Sequence, residues 1–170
     1  MKLIMVMATT VDGKIARYNT HYPDWTCSED KRMFRKVTQQ SGVVIMGSRT
    51  YQTIGKPLPK RLNVVLTRQP QRYAPVEHVI FTSDSPDKIV VDLSAQGYAS
   101  AALIGGETIN NLFAQSGLIT EIVITISPKL FGTGLSLFSC SVDMDLQLVS
   151  VQRMASDHIM LRYLVDHTRL

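Results

Sequence analysis

Two residues of opposite charge could do chemistry. Asp30 lies in the first turn of a predicted helix that follows Trp25, and Arg61 opens a predicted strand after the stiff segment Pro57-Leu58-Pro59-Lys60. A carboxylate facing a pocket accepts paired hydrogen bonds from the amidine-like edge of a heterocycle, and such pairing offsets the cost of its burial. A fixed guanidinium takes a carboxylate through two parallel N–H bonds. Each residue also has a plainer reading: Asp30, like the competing Glu29, suits the positive end of a helix, and Arg61 suits a surface turn.

Three further places suit anions. Gly47-Ser48-Arg49-Thr50 and Gly105-Gly106-Glu107-Thr108 each stand between a predicted strand and a predicted helix. Glycine lets a ligand approach the backbone, the helix start offers free amides, and Thr50 and Arg49 add a hydroxyl and a positive charge. Neither matches G-x-G-x-x-G, and either alone is an ordinary turn. Two of them on one sheet point to a pyrophosphate in the crevice at the strands' carboxyl ends. Thr67-Arg68, ending another strand, could hold a phosphate on an adenosine ribose and so select NADPH over NADH; a solvent-facing arginine is the alternative.

The elements that must position these residues follow from periodicity. Residues 2–8 form an apolar run expected of a central strand, and Asp12-Gly13 marks a turn. Residues 17–25 read as a loop. A helix begins with Ser28 as its N-cap, carries an apolar stripe of Met33, Phe34 and Val37, and ends near Ser41-Gly42. Further strands are expected at 43–47, 62–67, 78–82, 101–104 and 121–127. Helices are expected at 85–96 and at 108–115, the latter with Ile109, Leu112 and Phe113 inward. Residues 147–154 and 158–165 can close the sheet as an antiparallel hairpin. Strands alternating with helices, then two late strands, predict an α/β fold: a mostly parallel central sheet with helices on both faces and a C-terminal antiparallel hairpin.

The bulk numbers fit one domain over residues 1–170, for 45% hydrophobic residues fill a core and 19% charged residues argue against disorder. A net charge of +4 with scattered cations gives no nucleic-acid footprint. Cys27 and Cys140 are isolated, so free thiols in a reducing cytoplasm and no metal are expected. The apolar start is too short to span a membrane. No serine has a nucleophile-elbow context, and His21, His78, His158 and His167 have no partners at catalytic spacing.

Together these pieces resemble the dihydrofolate reductase family. VIMGSRTYQTIGKPLPKRLNVVLTR is similar to its strand–Gly-x-x-Thr–helix–Gly-x-Pro-Leu-Pro-x-Arg-x-Asn–strand motif, with Gly47, Thr50, Gly55, Pro57, Leu58, Pro59, Arg61 and Asn63 in place. Trp25, Asp30 and Phe34 share its spacing too. The resemblance implies NADPH-dependent reduction of dihydrofolate. Asp30 holds the pterin amino group and adjacent ring nitrogen, Thr125 supports Asp30, and Arg61 holds the carboxylate of the glutamate tail. Val6, Phe34, Ile54 and Leu58 complete the substrate wall. The cofactor falls to Ala8, Ile15, Gly47, Ser48, Arg49, Thr50, Leu66, Thr67, Arg68, Ile104, Gly105, Gly106, Glu107 and Thr108. Residues 11–25 would act as a lid hinged near Gly13.

MATTVDGKIA and GLITEIVITISPKLFGTGLSLF also resemble a second branch, the riboflavin-pathway reductase of a ribosylamino-pyrimidine. That branch uses the same fold and cofactor, often dimerises, and needs neither Asp30 for a pterin nor Arg61 for a glutamate tail. Asn110 stands where folate enzymes commonly carry an aromatic residue, and Ser48 where many carry a basic one. The presence of both Asp30 and Arg61 favours folate. A pyrimidine substrate, or a cleft that binds NADPH without chemistry, are the alternatives. The expected partners are a small-molecule substrate and no nucleic acid or membrane, with the chain a monomer or homodimer.

Overall fold

A computed structural model describes residues 1–166, so the expectation for His167 falls outside the described residues. The strands are β1 (Lys2–Thr10), β2 (Lys14–Ala16), β3 (Val43–Gly47), β4 (Leu62–Leu66), β5 (Val79–Thr82), β6 (Ser100–Leu103), β7 (Glu121–Ser127), β8 (Leu135–Ser136), β9 (Asp145–Arg153) and β10 (Ile159–Asp166). The α-helices are α1 (Ser28–Ser41), α2 (Ser48–Ile54), α3 (Pro86–Ala95) and α4 (Glu107–Gln115).

Eight strands form the main sheet in the order β5-β4-β3-β6-β1-β7-β10-β9. Pairing is parallel from β5 through β7, while β10 runs antiparallel to β7 and β9 antiparallel to β10. The expected mixed α/β architecture is therefore the observed one. β3 is buried at every position, as a strand covered on both faces must be. On one face Val6, Val44, Met46, Val65 and Ile104 meet the Met33, Phe34 and Val37 stripe of α1. On the other, Leu3, Met5, Ile45 and Leu103 meet Ile89 and Leu93 of α3 and Ile109 and Phe113 of α4. Phe113 is fully buried, so truncating it to alanine costs about 3–5 kcal/mol.

Several local expectations change. The N-cap of α1 is Cys27, and Ser28 is the first helical residue, its hydroxyl donating to Glu29 rather than capping an amide. Leu112 points outward at 40% exposure, while its neighbour Asn110 is fully buried and donates to the Leu137 carbonyl at 3.0 Å. Residues 14–16, expected to be part of an irregular lid, form β2 and pair with β8 in a second, two-stranded sheet. That strand is too short for a periodicity signal, since its partner lies more than a hundred residues away and tertiary pairing creates it.

Candidate active site

One large cleft opens along the carboxyl ends of β3, β4, β5 and β6, with a volume of about 1440 Å³. A single small-ligand pocket occupies roughly 300–1,000 Å³, so the cleft has room for two ligands.

Its cofactor side is a pair of facing turns. The Gly47 N–H donates to the Gly105 carbonyl at 2.9 Å, which ties the end of β3 to the end of β6. A Cβ on Gly47 would come within 2.9 Å of Ile109 Cγ1, and one on Gly105, at φ +85°, within 3.0 Å of Met7 Cε. A Cβ on Gly106 would enter the gap between the turns, 3.6 Å from Thr50 Oγ1. Glycine is thus what keeps this cradle shallow enough for a ligand to reach the backbone. The Gly105–Gly106 peptide is cis. Ala8, Ile15, Gly47, Ser48, Arg49, Thr50, Leu66, Thr67, Arg68, Ile104, Gly106, Glu107 and Thr108 all line the cleft, whereas Gly105 lies beneath its surface. The Glu107 carboxylate accepts from the Ser136 amide at 2.9 Å, so it anchors β8 instead of presenting a free charge.

The substrate side brings Val6, Asp30, Phe34, Ile54, Leu58 and Arg61 onto the same cleft. Asp30 is 7% exposed and its carboxylate has no hydrogen-bond or ion partner among the described residues. Trp25 Nε1 and Thr125 Oγ1 are likewise buried without partners. Thr125 sits on β7 opposite Ala8 of β1, but it does not line the cleft and makes no bond to Asp30. Among the described residues, then, any support that Thr125 gives Asp30 is not a direct hydrogen bond.

Arg61 differs. It is equally buried, at 7%, and already held. Its Nε donates to the Pro59 carbonyl at 2.9 Å and its Nη1 to Thr38 Oγ1 on α1. The loop carrying it is pinned by Asn63, which is fully buried. Asn63 Oδ1 accepts from the Leu58 amide at 2.9 Å, and its Nδ2 donates to the Leu58 and Arg61 carbonyls, each at 3.0 Å. Burial, followed by the positive charge of Arg35, pushes the Arg61 pKa down, yet a guanidinium keeps its charge.

The lid is more firmly based than a loop hinged at Gly13. The Gly13 carbonyl accepts from the Leu137 amide at 3.3 Å, and β2 follows at once. Beyond it Arg17 stacks over the Phe131 ring, 4.0 Å from its centre, and Trp25 meets the same ring edge-on at 5.3 Å. His21, read from sequence as without a role, lines the cleft and packs on Phe131 at 5.7 Å. Arg49 Nη1 donates to Asn19 Oδ1 at 3.3 Å, a link between lid and α2. Asn19, His21, Lys31, Arg35, Lys56 and Lys60 are cleft residues that sequence reasoning missed. Those on α1, Lys31 and Arg35, are one turn apart and directly follow the expected site residues Asp30 and Phe34, so the helix period could have found them.

The chain belongs to the dihydrofolate reductase family: the family model of that description matches residues 2–153. It is 41% identical over 69 residues to the dihydrofolate reductase of Haemophilus influenzae, a match covering 41% of each chain. The chain thus aligns with less than two thirds of the length of such curated relatives. In fold it is similar to a putative riboflavin biosynthesis protein from Shewanella sp. PV-4, with a TM-score of 0.80 and 21% identity over 98% of this chain and 100% of that one. It is also similar to dihydrofolate reductase from Enterococcus faecalis complexed with NADP(H) and RAB-propyl, with a TM-score of 0.75 and 18% identity over 97% and 96% of the two chains. Among the described residues no helix is long and apolar enough to cross a membrane, and no cluster of side chains could hold a metal ion.

Proposed function

We propose that the chain reduces 7,8-dihydrofolate to tetrahydrofolate with NADPH. The observation that carries this reading is that Asp30 and Arg61, both nearly buried, open onto one cleft. A carboxylate in search of donors and a supported guanidinium can grip a heterocycle at one end and a carboxylate at the other.

A nicotinamide held beside the two glycine turns would supply hydride chemistry for reducing a pterin imine, whose nitrogen takes up a proton. The chain's own part is positional and electrostatic. Asp30 holds the amino edge of the ring and favours its protonated form by charge, with water carrying the proton to the far side. Phe34, Ile54 and Leu58 enclose the ring system, and Trp25, Arg17 and Phe131 close the lid side, so that two rings meet in a dry cleft. Thr50 and the backbone of the two glycine turns fit a pyrophosphate. Arg68, at the end of β4, is the candidate for an adenosine phosphate. Asp84 also lines that region, and Lys88, 3.7 Å away, offsets its charge. On this reading Arg68→Gln narrows the preference for NADPH over NADH.

A second reading is reduction of a ribosylamino-pyrimidine, favoured by the full-length likeness in fold to a putative riboflavin biosynthesis protein. Loss of NADPH absorbance on adding dihydrofolate supports the first reading. Loss only with the ribosylamino-pyrimidine replaces it with the second. NADPH binding without turnover of either substrate makes the protein a non-catalytic binder.

A further inference from the structure

Glu107 puts a negative charge where a dinucleotide's phosphates are expected. It is the first residue of α4, directly after the Gly105-Gly106 turn, and it lines the cleft with Thr50 and Thr108. A carboxylate suits the positive end of a helix while the site is empty, but it repels phosphates that use the same amides. Among the described residues no lysine, arginine or histidine lies within ion-pair distance to neutralise it.

What holds this carboxylate is backbone from a distant segment. Its Oε1 accepts from the Ser136 amide at 2.9 Å. Asn110 donates to the Leu137 carbonyl at 3.0 Å. Asn111 accepts from the Ser139 amide at 3.1 Å and donates to the Ser139 hydroxyl at 2.7 Å. Residues three and four apart share one helix face, so one side of α4 grips residues 136–139 as a unit. The gripped segment is tied in turn to the chain near Gly13. Lys14 Nζ donates to Ser136 Oγ at 3.0 Å, and the Leu137 amide to the Gly13 carbonyl at 3.3 Å. Asn111 does not line the cleft, so it can be changed without touching what the cleft binds.

We propose that Glu107 is a charge brake on cofactor binding, restrained by the Ser136 amide. While residues 136–139 stay docked on α4, that amide holds the carboxylate. When they loosen, the carboxylate is freed to oppose the phosphates, and the dinucleotide leaves sooner. The inference rests on the reading of the two glycine turns as a dinucleotide site.

The test follows NADPH alone, by stopped-flow fluorescence as excess NADP+ displaces it, so no substrate need turn over. Asn111→Ala should loosen the segment and speed NADPH release about fivefold, the lower end of typical couplings between sites. Raised salt should shrink that effect, because it screens the freed charge. Glu107→Gln keeps an oxygen to accept from the Ser136 amide but removes the charge. In that background Asn111→Ala should change the release rate by less than about twofold, the mark of two residues acting through one interaction. Amide hydrogen exchange supplies a readout apart from the ligand. The peptide spanning Ser136 should exchange faster in Asn111→Ala and in Glu107→Ala, and at the wild-type rate in Glu107→Gln. An acceleration of release that is just as large in the Glu107→Gln background overturns the brake, because the segment then acts without the charge. Unchanged release in Asn111→Ala overturns it as well. If NADPH release shows the expected differences but neither dihydrofolate nor the ribosylamino-pyrimidine is reduced, the brake stands and the reductase reading falls. No binding of NADPH overturns both.

Discussion

Asp30 and Arg61 are equally buried, at 7% exposure each, yet the chain surrounds them in opposite ways. Arg61 is tied to Pro59 and Thr38, on a loop that Asn63 pins from below. Among the described residues Asp30 has no partner, and Trp25 Nε1 and Thr125 Oγ1 are also without one. A buried polar group without a partner costs about 1–3 kcal/mol. One end of the cleft is preorganised for what it binds, so little ordering remains to oppose binding. The other is left incomplete, to be satisfied by the ligand, and interactions made only with the reacting ring are those that raise turnover.

This contrast separates the consequences of mutation. The largest effect belongs to the incomplete end. Asp30→Asn should lower kcat about a hundredfold or more at neutral pH, within the range of a positioned acid–base group. The deficit should narrow in acid, where the substrate protonates without help. A deficit of constant size across the pH–rate profile would mean that Asp30 shapes the pocket rather than its charge. At the preorganised end Arg61→Leu should act on KM. It removes the partner of a desolvated substrate carboxylate, a loss of about 2–5 kcal/mol in binding, with kcat little changed. Unchanged affinity for dihydrofolate in that variant would remove the tail from this end.

A matched pair of smaller substitutions sharpens the comparison. Thr38→Val deletes the acceptor that holds Arg61 and should lower stability by about 1–2 kcal/mol while raising KM severalfold. Thr125→Val deletes a hydroxyl that has no partner among the described residues, so thermal unfolding should shift little or upward. If the incomplete end is finished by a bound ligand and its water, Thr125→Val should still slow turnover. Equal loss of stability in both variants would dissolve the distinction between the two ends.

The sheet was legible because its strands are continuous apolar runs and its turns are marked by glycine and proline, as at Val43–Gly47 and Gly105-Gly106. The chain positions of Asp30 and Arg61 were legible as well, since each stands at a fixed offset from a helix or strand start. What could not be read is what two distant segments do to each other. β2 exists only because residues 135–136 come alongside it. Phe131 gathers Arg17, His21 and Trp25 over more than a hundred residues of chain. Thr125 was placed correctly on its strand, but one strand's period cannot tell which side chains of other elements its buried hydroxyl meets.

The lid offers the smallest effect, and a sign that can be worked out. Asp12 accepts from Thr10 Oγ1 at 2.5 Å and from the Gly132 amide at 2.7 Å, with the Phe131 amide at 3.2 Å. The Thr10 hydroxyl first, then the Gly132 and Phe131 amides, draw the carboxyl's pKa down to about 2. The folded chain therefore binds fewer protons here than the unfolded one between pH of about 2 and the ordinary aspartate value of about 4. The clamp's contribution is complete above that window and is lost as pH falls through it. Because the clamp fixes Phe131, on which Trp25 and Arg17 rest, its loss should reach the lid before the sheet. Trp25 is the sole tryptophan of the chain, so its fluorescence reports on this spot. We expect the emission to change across this window while far-ultraviolet circular dichroism stays constant, and Asp12→Asn to show the acid form's emission at neutral pH. Emission that is flat through the window and unaltered by Asp12→Asn would mean that Arg17 and Trp25 hold Phe131 without help from the clamp, and that the lid's geometry is set by aromatic packing alone.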